Sequence, residues 1–284
     1  MILVTGATGT VGRALLRRLP AEVTVRVMAR DPGRVAAAGP QVETVAGDYT
    51  DIRSLERALA GVRTAFLVTT AVGGQDDERF LRAACGAGVQ RVVKLSAAAV
   101  LDDRAQDLIT RWQRASEQAL RGCGLEWTLL RPRAFMSNCL SWAASVRGEG
   151  VVRALNGTSV SPCVDPRDIA GAAARVLTEE GHEGRAYTLT GPEAIAPVEQ
   201  TRQLGRLLGV PLRFEELSRQ QARAGLGLRY PQPVVEALLA SADRQRAGAK
   251  ARVDGALAAL LGRPATTFRE WARDHLEAFA PIRA

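Results

Sequence analysis

The stretch ILVTGATGTVG, residues 2–12, carries the strongest structural signal in the chain. Its first apolar residues predict a short buried strand, and glycines follow at positions 6, 9 and 12. Glycines at this spacing permit a tight turn, a close approach of the backbone to a pyrophosphate and close packing of the next helix. Free N–H groups at the start of that helix attract phosphate. We therefore predict that a dinucleotide contacts Gly6, Thr8, Gly9, Thr10 and Val11.

Strand-like apolar runs alternate with helical patterns through the N-terminal half of the chain. Such alternation predicts a parallel sheet covered by helices on both faces. No repeat or low-complexity segment interrupts it. The predicted strands cover residues 2–4, 23–28, 42–45, 65–68, 92–95 and 128–130, and the predicted helices cover 11–19, 78–87 and 105–121.

The end of the second predicted strand bears on the choice of cofactor. An NAD site more often places an acid at this strand tip to hold the ribose 2′-hydroxyl, whereas this chain has Arg30 there. A guanidinium suits a 2′-phosphate. The sequence thus favours NADP(H) over NAD(H). Two alternatives stay open, because Arg30 can simply be solvated and Asp31 stands beside it.

The charge of the chain is strongly basic, at +8 for 284 residues. The 38 basic residues comprise two lysines, Lys94 and Lys250, and therefore 36 arginines, which are scattered among acids. No helix–turn–helix or aromatic-interleaved basic stripe is visible, so we expect no nucleic-acid partner. A positive surface still attracts anionic small molecules, including a phosphorylated cofactor.

Targeting and metal signals are weak. The N-terminus has no basic segment before its apolar run and the chain has no apolar run of 18 residues, which favours a soluble cytoplasmic protein without membrane contact. The four cysteines fit neither a zinc pattern nor a C-x-x-C pair, so we predict no metal site and interpret them as reduced core thiols. They are Cys85, Cys123, Cys139 and Cys163.

Several motifs together resemble the atypical short-chain dehydrogenase/reductases, and in particular the NmrA-like branch with its quinone- and triphenylmethane-reductase-like proteins. The resemblance covers nearly the whole chain. The matching segments are residues 4–12, 29–30, 47–48, 66–69, 93–96, 130–132 with Phe135 and Asn138, 164–170, 187–193 and 268–271.

This resemblance implies an α/β fold, with a doubly wound parallel Rossmann sheet and a small discontinuous C-terminal α/β lobe. The NADP(H)-binding core would span 1–131 with 150–190 contributing, and the substrate-binding lobe would take 132–149 and 191–284. It also implies specific cofactor contacts. Asp48 would meet the adenine, Thr69 and Thr70 would line the middle of the cofactor, Ser96 would lie beside the nicotinamide ribose, and Pro132 to Phe135 would border the nicotinamide.

The helix after the fifth strand lacks the usual proton-donating dyad. Most short-chain reductases carry Tyr-x-x-x-Lys there, but in the segment RWQRASEQAL, residues 111–120, our alignment places Gln113 and Glu117 at those positions. None of the three tyrosines has a lysine four residues later. Helical spacing predicts that Leu108, Trp112, Ala115 and Ala119 face the core.

Three residues are therefore candidate catalytic groups. Gln113 would orient a substrate through its amide, and Ser96 or water would supply a late proton. Glu117 would accept a hydrogen bond from the cofactor ribose, or act as an acid if burial raises its pKa. For Gln113 and Glu117 the alternative is a solvated or structural helix face.

We predict an NADPH-dependent reductase of a quinone-like or conjugated aromatic small molecule, in secondary metabolism or detoxification. Hydride transfer to such an electrophilic acceptor does not require the dyad. The alternatives are a non-catalytic NADP(H) sensor and a non-redox isomerase or dehydratase. We expect a monomer or homodimer. The glycine- and proline-containing run 224–233 is predicted to be a loop, which acts either as a lid or as a connector.

Overall fold

Nine strands lie within residues 1–35, 39 and 41–280, which the computed structural model describes. Each of the six strands predicted in the N-terminal half is present, with ends shifted by up to two residues. The strands are β1 Ile2–Thr5, β2 Val25–Ala29, β3 Val42–Ala46, β4 Thr64–Leu67, β5 Arg91–Leu95, β6 Glu126–Pro132, β7 Val151–Ala154, β8 Arg185–Leu189 and β9 Arg213–Glu216.

Helices separate most of these strands. Short 3₁₀ helices also occur at Pro32–Arg34, Ala98–Leu101 and Met136–Trp142. The α-helices are α1 Thr10–Leu16, α2 Ile52–Leu59, α3 Asp76–Gly86, α4 Leu108–Gly122, α5 Ala143–Glu149, α6 Pro166–Thr178, α7 Pro197–Leu208, α8 Arg219–Gly227, α9 Gln232–Arg246, α10 Ala256–Leu261, α11 Phe268–Asp274 and α12 Leu276–Phe279.

Seven strands form one sheet in the order β3-β2-β1-β4-β5-β6-β8. Every neighbouring pair from β3 to β6 is parallel. The strand order reverses between β1 and β4, and ligands bind at such a switch point, outside the carboxyl ends of the strands. The predicted doubly wound α/β fold is confirmed.

Helices cover both faces of this sheet. On one face, α2, α3 and α4 contribute buried side chains such as Leu55, Phe80 and Leu120, which pack with Leu3 and Leu129 from the strands. The helices α1 and α6 pack against each other, and α6 also contacts β4, β5 and β6. The strands are nearly continuous apolar runs because both faces are buried.

The chain divides into two units, which we describe separately. The described residues of the first unit fall within Met1–Val100, Thr110–Pro132 and Pro166–Thr188, and contain the sheet except for the last residue of β8. The second unit takes those within Leu101–Ile109, Arg133–Asp165 and Leu189–Ala284. The roles that the resemblance assigns to the two domains stay predictions.

The second unit has its own small sheet and core. Residues 150–165 lie in this unit, although the sequence analysis assigned them to the cofactor domain. The physical reason is that β7 pairs in parallel with β9, which follows it by about sixty residues. Helices α7 and α11 pack there around Leu204, Phe268 and Trp271.

Three local predictions are wrong. Ala115 is exposed, whereas Gln113 and Glu117 are buried, so the inner face of α4 is turned from the predicted one. The predicted loop at 224–233 is helical to Gly227, because α8 starts with a capping box between Ser218 and Gln221. All four cysteines are free, but Cys85 is exposed rather than in the core.

Across the described part of the chain, no helix combines the length and the hydropathy needed to cross a bilayer. The cytoplasmic location and the monomeric or homodimeric state stay predictions. Nor do the described His, Cys, Asp and Glu side chains gather in any group of three that would hold a metal ion.

Candidate cofactor and active site

The glycine turn between β1 and α1 has the geometry that a dinucleotide requires. Gly6 has a φ of +65°, which disfavours any side chain. A Cβ atom on Gly12 would lie 2.2 Å from the carbonyl oxygen of Gly6, so only glycine lets α1 approach the turn this closely. Gly9 caps α1 without a side-chain hydrogen bond. Since Thr8, Gly9 and Thr10 are exposed, their backbone remains accessible to a phosphate.

A buried hydroxyl that the sequence analysis missed fixes this turn against β4. Thr5 Oγ1 donates to the carbonyl of Phe66 at 2.9 Å and accepts from the amide of Val68 at 2.8 Å. Val68 in turn lies so close to Gly6 that a Cβ atom there would be 2.9 Å from the Val68 Cβ. The glycine turn is thus fixed by hydrogen bonds and packing with Phe66 and Val68, across the point where the strand order reverses.

Arg30 and Asp48 lie near each other where β2 and β3 end. Arg30 is exposed, and its charge contributes to lowering the pKa of Asp48, although hydrogen bonds from Thr50 are the larger cause. The Thr50 amide and hydroxyl donate to Asp48 Oδ1 at 2.8 and 2.7 Å. Asp31, the acid beside Arg30, instead accepts from the amide of Gly33 at 3.0 Å. The tip of β2 therefore exposes the Arg30 guanidinium and, beside it, the Asp31 carboxylate, which caps the following 3₁₀ turn.

A buried ion pair between Asp77 and Lys94 connects α3 and α4 to the sheet, together with two hydroxyl groups. We call these four residues, Thr69, Asp77, Lys94 and Ser116, the Asp77 cluster. Lys94 Nζ, fully buried in β5, donates to Asp77 Oδ1 at 2.5 Å. The hydroxyls of Thr69 and Ser116 both donate to Asp77 Oδ2 at 2.9 Å. The hydroxyl of Thr69 is thereby engaged inside the protein, so any contact of Thr69 with a cofactor would use its backbone.

A second buried group, the Glu117 cluster, joins α4 to the ends of β5 and β6. Ser96 Oγ donates to Glu117 Oε1 at 2.6 Å. Arg131 Nε donates to the same oxygen at 2.9 Å, and a terminal nitrogen of Arg131 donates to Oε2. Glu117 is only 5% exposed, which excludes the solvated face for this residue. Both of its oxygens act as acceptors from the protein.

Gln113 lies one turn before Glu117 and differs from it. The residue is 7% exposed, so it too is not solvated. Its Oε1 atom has no hydrogen-bond partner among the described residues. A buried polar atom without a partner is unusual in a native protein and indicates an absent ligand or water. Gln113 therefore fits the predicted role of orienting a ligand, which stays a prediction.

The other predicted cofactor residues divide between the two units. In the first unit, Thr70 is exposed after β4, Val11 is buried in α1, and Pro132 is buried at the end of β6. Phe135 belongs to the second unit, where it forms a parallel bridge with Val164. The structure thus brings Ser96 to Glu117 and Arg30 to Asp48, and it places Phe135 in the other unit.

Sequence reasoning missed five charged or hydroxyl side chains that hold the glycine turn and these clusters together. One signal was available for Lys94, because a lysine inside an apolar strand implies a buried carboxylate partner. No comparable signal marks the others, since their partners are remote in sequence. They are Thr5, Asp77, Ser116 and Arg131.

Comparison with known proteins agrees with this geometry. Residues 6–180, which include the glycine turn and both buried clusters, match the NAD(P)H-binding family. The chain belongs to this family. Its structural neighbours support placing it among the NmrA-like atypical short-chain dehydrogenase/reductases, as the motifs indicated. The glycine turn, which a Cβ atom would fill, fits the pyrophosphate of that cofactor.

Two relatives of this NAD(P)H-binding protein that match nearly its whole length are reductases. It is 56% identical to the (4-alkanoyl-5-oxo-2,5-dihydrofuran-3-yl)methyl phosphate reductase of Streptomyces griseus, over 99% of this chain and 100% of that protein. It is 33% identical to the NAD(P)H azoreductase of Xenophilus azovorans, over 98% and 99% of the two chains. The chain is therefore an NAD(P)H-dependent oxidoreductase, and these relatives do not favour the sensor or the isomerase alternative.

A solved structure gives the same result for the fold. The NADPH-dependent quinone oxidoreductase of Escherichia coli, complexed with NADPH, superposes with a TM-score of 0.85 at 28% identity. The match covers 98% of this chain and 100% of the other. The similarity thus extends over both units of the NAD(P)H-binding protein.

Proposed function

We propose that this protein uses NADPH to reduce a carbon–carbon double bond conjugated to carbonyl groups in a small molecule that carries a phosphate monoester. This narrows the predicted quinone-like or conjugated acceptor. The Streptomyces griseus relative, whose name describes such a substrate, supports it at 56% identity. The exposed Arg30 at the tip of β2 supports NADPH as the donor.

The observation that carries the proposal is the Glu117 cluster. At the positions where other short-chain reductases have Tyr and Lys, this chain has Gln113, an amide, and Glu117, whose two oxygens both accept hydrogen bonds from Ser96 and Arg131. No phenol or lysine is present there to donate a proton to an alkoxide. The acceptor must therefore form an anion that is stable without one.

A doubly conjugated unsaturated lactone meets this requirement. In the relative's substrate, the ring double bond is conjugated both to the ring carbonyl and to the alkanoyl carbonyl. When bound, NADPH would supply the hydride, which would form a C–H bond at the ring carbon that carries the phosphorylated hydroxymethyl group. The electrons of the double bond move to the neighbouring carbon and delocalise over both carbonyl oxygens. A proton from water then completes that carbon.

The residues of this chain would bind and orient rather than transfer protons. The Gly6–Gly12 turn holds the pyrophosphate, and Gln113 offers an amide oxygen to a ligand donor. To protonate the product, Ser96 would have to break its 2.6 Å bond to Glu117, so we propose water as the proton source. Buried Glu117 instead holds Ser96 and Arg131 in place.

The test follows NADPH oxidation with four acceptors: the alkanoyl-butenolide phosphate, a benzoquinone, an azo dye and an unconjugated ketone. We expect the butenolide to give the highest kcat/KM and the ketone to give no turnover. With NADPH deuterated at the transferred position, deuterium should appear at the ring carbon that carries the phosphorylated hydroxymethyl group. In heavy water it should appear at the adjacent carbon. Reduction of the quinone or the dye, but not of the butenolide, would overturn the proposal.

A further inference from the structure

A group of cations in the second unit has fewer acidic partners than it needs. It contains Arg133, Arg244 and Lys250. Among the described residues, Arg244 forms ion pairs, with Asp107 at 2.7 Å and with Asp102 at 3.3 Å. Arg133 and Lys250 form none with the carboxylates that the structure describes.

Arg133 is the first of them and directly follows the last residue of β6. Its side chain is half-buried, and its Nε atom is buried without a hydrogen-bond partner among the described residues. Burial lowers the pKa of this guanidinium, and the charge of Asp102 offsets the effect only in part. A desolvated guanidinium with an unused N–H group is a donor that lacks its acceptor.

Lys250 is the second. Its Nζ atom donates to Ser241 Oγ at 2.6 Å and forms no ion pair with a described carboxylate. Burial, the largest cause, and the neighbouring charges of Arg244 and Arg133 together lower the pKa of Lys250 to about 8, although Asp107 and Cys163 act in the opposite direction. Both guanidinium groups therefore lie close enough to repel this ammonium. An anion among them would remove that repulsion.

A buried hydroxyl belongs to the same region. Ser161 is 3% exposed, and its Oγ atom lies beside the Cys163 thiol but has no partner otherwise among the described residues. Its segment adjoins those that carry the cations: the Val164 amide donates to the carbonyl of Ala134, next to Arg133, at 2.9 Å. On α9, Gln245 Nε2, next to Arg244, donates to the carbonyl of Ser159 at 3.1 Å. Arg133 Nε and Ser161 Oγ thus have no hydrogen-bond partner that the described residues supply, and Lys250 has a hydroxyl acceptor but no described counter-ion.

We propose that Arg133, Lys250 and Ser161 bind the phosphate monoester of the substrate, and so make the enzyme select phosphorylated acceptors over dephosphorylated ones. This inference rests on the proposed function. A phosphate monoester carries close to two negative charges at neutral pH and has three acceptor oxygens. Arginine and lysine are the side chains that usually bind it, through charge-assisted hydrogen bonds.

The same phosphate chemistry has a second source, the 2′-phosphate of NADPH. If the cluster bound that group, its loss would weaken NADPH more than NADH. We expect instead that Lys250→Met changes the dissociation constants of NADPH and NADH by the same factor, within about twofold. A selective loss of NADPH affinity would assign the cluster to the cofactor and overturn the proposal.

The main experiment compares the alkanoyl-butenolide phosphate with its dephosphorylated alcohol. Lys250→Met and Arg133→Gln should each lower the ratio of kcat/KM values, phosphate over alcohol, at least about tenfold. Ser161→Ala should lower it about threefold. Lys250→Arg, which keeps the charge, should recover most of the ratio. The matched control is Arg229→Gln, which removes an exposed arginine of the same unit and should leave the ratio unchanged.

A binding measurement separates this proposal from the proposed function. Methyl phosphate should raise the Tm of the NADPH-saturated wild type and of Arg229→Gln, but not of the Arg133→Gln/Lys250→Met double variant. This pattern would support the site even if neither butenolide is reduced. The proposal is overturned if methyl phosphate does not stabilise the wild type, stabilises the double variant equally, or if all variants keep the wild-type ratio.

Discussion

The two units differ in whether their buried charged side chains form ion pairs. In the first unit, Lys94 faces Asp77 and Arg131 faces Glu117, so each buried charge has a partner within hydrogen-bond distance. In the second, Arg244 is paired with Asp107, but Arg133 and Lys250 form no ion pair with a carboxylate of the described residues. A completed pair fixes the position of the elements that carry it, whereas an uncompensated cation costs folding free energy until an anion arrives. We therefore interpret the paired charges of the first unit as structural, and the cations of the second unit as the proposed phosphate site.

The largest expected effect comes from breaking the Asp77 cluster. Asp77→Leu leaves the fully buried Lys94 without a counter-ion, and we expect the free energy of unfolding to fall by about 3–5 kcal/mol. Urea denaturation measures this change. The Asp77→Leu/Lys94→Met double variant, which removes both charges, should recover most of the loss. If the single and the double variant are equally stable, the pair is not what holds α3 and α4.

Breaking the Glu117 cluster should cost somewhat less, because Arg131 keeps some contact with solvent. Its side chain is 14% exposed, so for Glu117→Gln we expect a loss of about 2–3 kcal/mol. Since glutamine offers one acceptor oxygen where Glu117 offers two, Ser96 and Arg131 compete for it, and kcat should fall about tenfold. Urea denaturation and steady-state kinetics report the two effects. Glu56→Gln removes an exposed carboxylate and serves as the control; an equal effect from it would contradict the assignment.

The cofactor preference should depend on an exposed residue and change without a loss of stability. Arg30→Ala is expected to raise the dissociation constant of NADPH about tenfold and to leave that of NADH unchanged, since only the 2′-phosphate is lost as a partner. Fluorescence titration gives both constants. Arg82→Ala, an exposed arginine on α3, is the control. A parallel loss for both cofactors would show that Arg30 does not read the 2′-phosphate.

The smallest expected effect is a dependence of the KM for the phosphorylated substrate on pH. The pKa of Lys250 is lowered to about 8, so its side chain is mostly protonated at pH 7 and mostly neutral at pH 9. Asp107 and Cys163 raise this pKa, whereas burial, Arg244 and Arg133 lower it. The KM for the phosphorylated substrate should therefore rise about threefold over this range, relative to that of the alcohol. Lys250→Arg should remove the difference; a ratio that stays flat in the wild type would contradict the role of Lys250.

Local features of the sequence predicted much of the fold. The turn at Gly6, Gly9 and Gly12 follows from the glycines themselves, because its tight φ angle and close packing require the absence of a side chain. The central strands β1 and β4 are buried along their whole length, and each shows in one short segment. The helix α3, Asp76–Gly86, likewise lies within two residues of its predicted bounds, 78–87.

The candidate site was less predictable, because its partners are remote in the sequence. Glu117 meets Arg131 and Ser96, which are 14 and 21 residues away. Hydropathy placed Ala115, but not Gln113, on the core-facing side of α4. In the structure Ala115 is exposed and Gln113 is buried. A polar residue can be buried once tertiary contacts supply its hydrogen bonds, and periodicity alone does not reveal those contacts. The capping box at Ser218 and Gln221 was a local signal that we did not use.

The exposure of Arg30 has an evolutionary consequence. The parts of the cofactor site that the fold cannot spare are buried, as with Thr5 and Gly12, whereas Arg30 points into solvent beside Asp48. Surface substitutions of this kind usually change stability by less than about 0.5 kcal/mol. With the proposed role of Arg30, a substitution at this one exposed position would change the preference between NADPH and NADH and leave the rest of the fold unaltered.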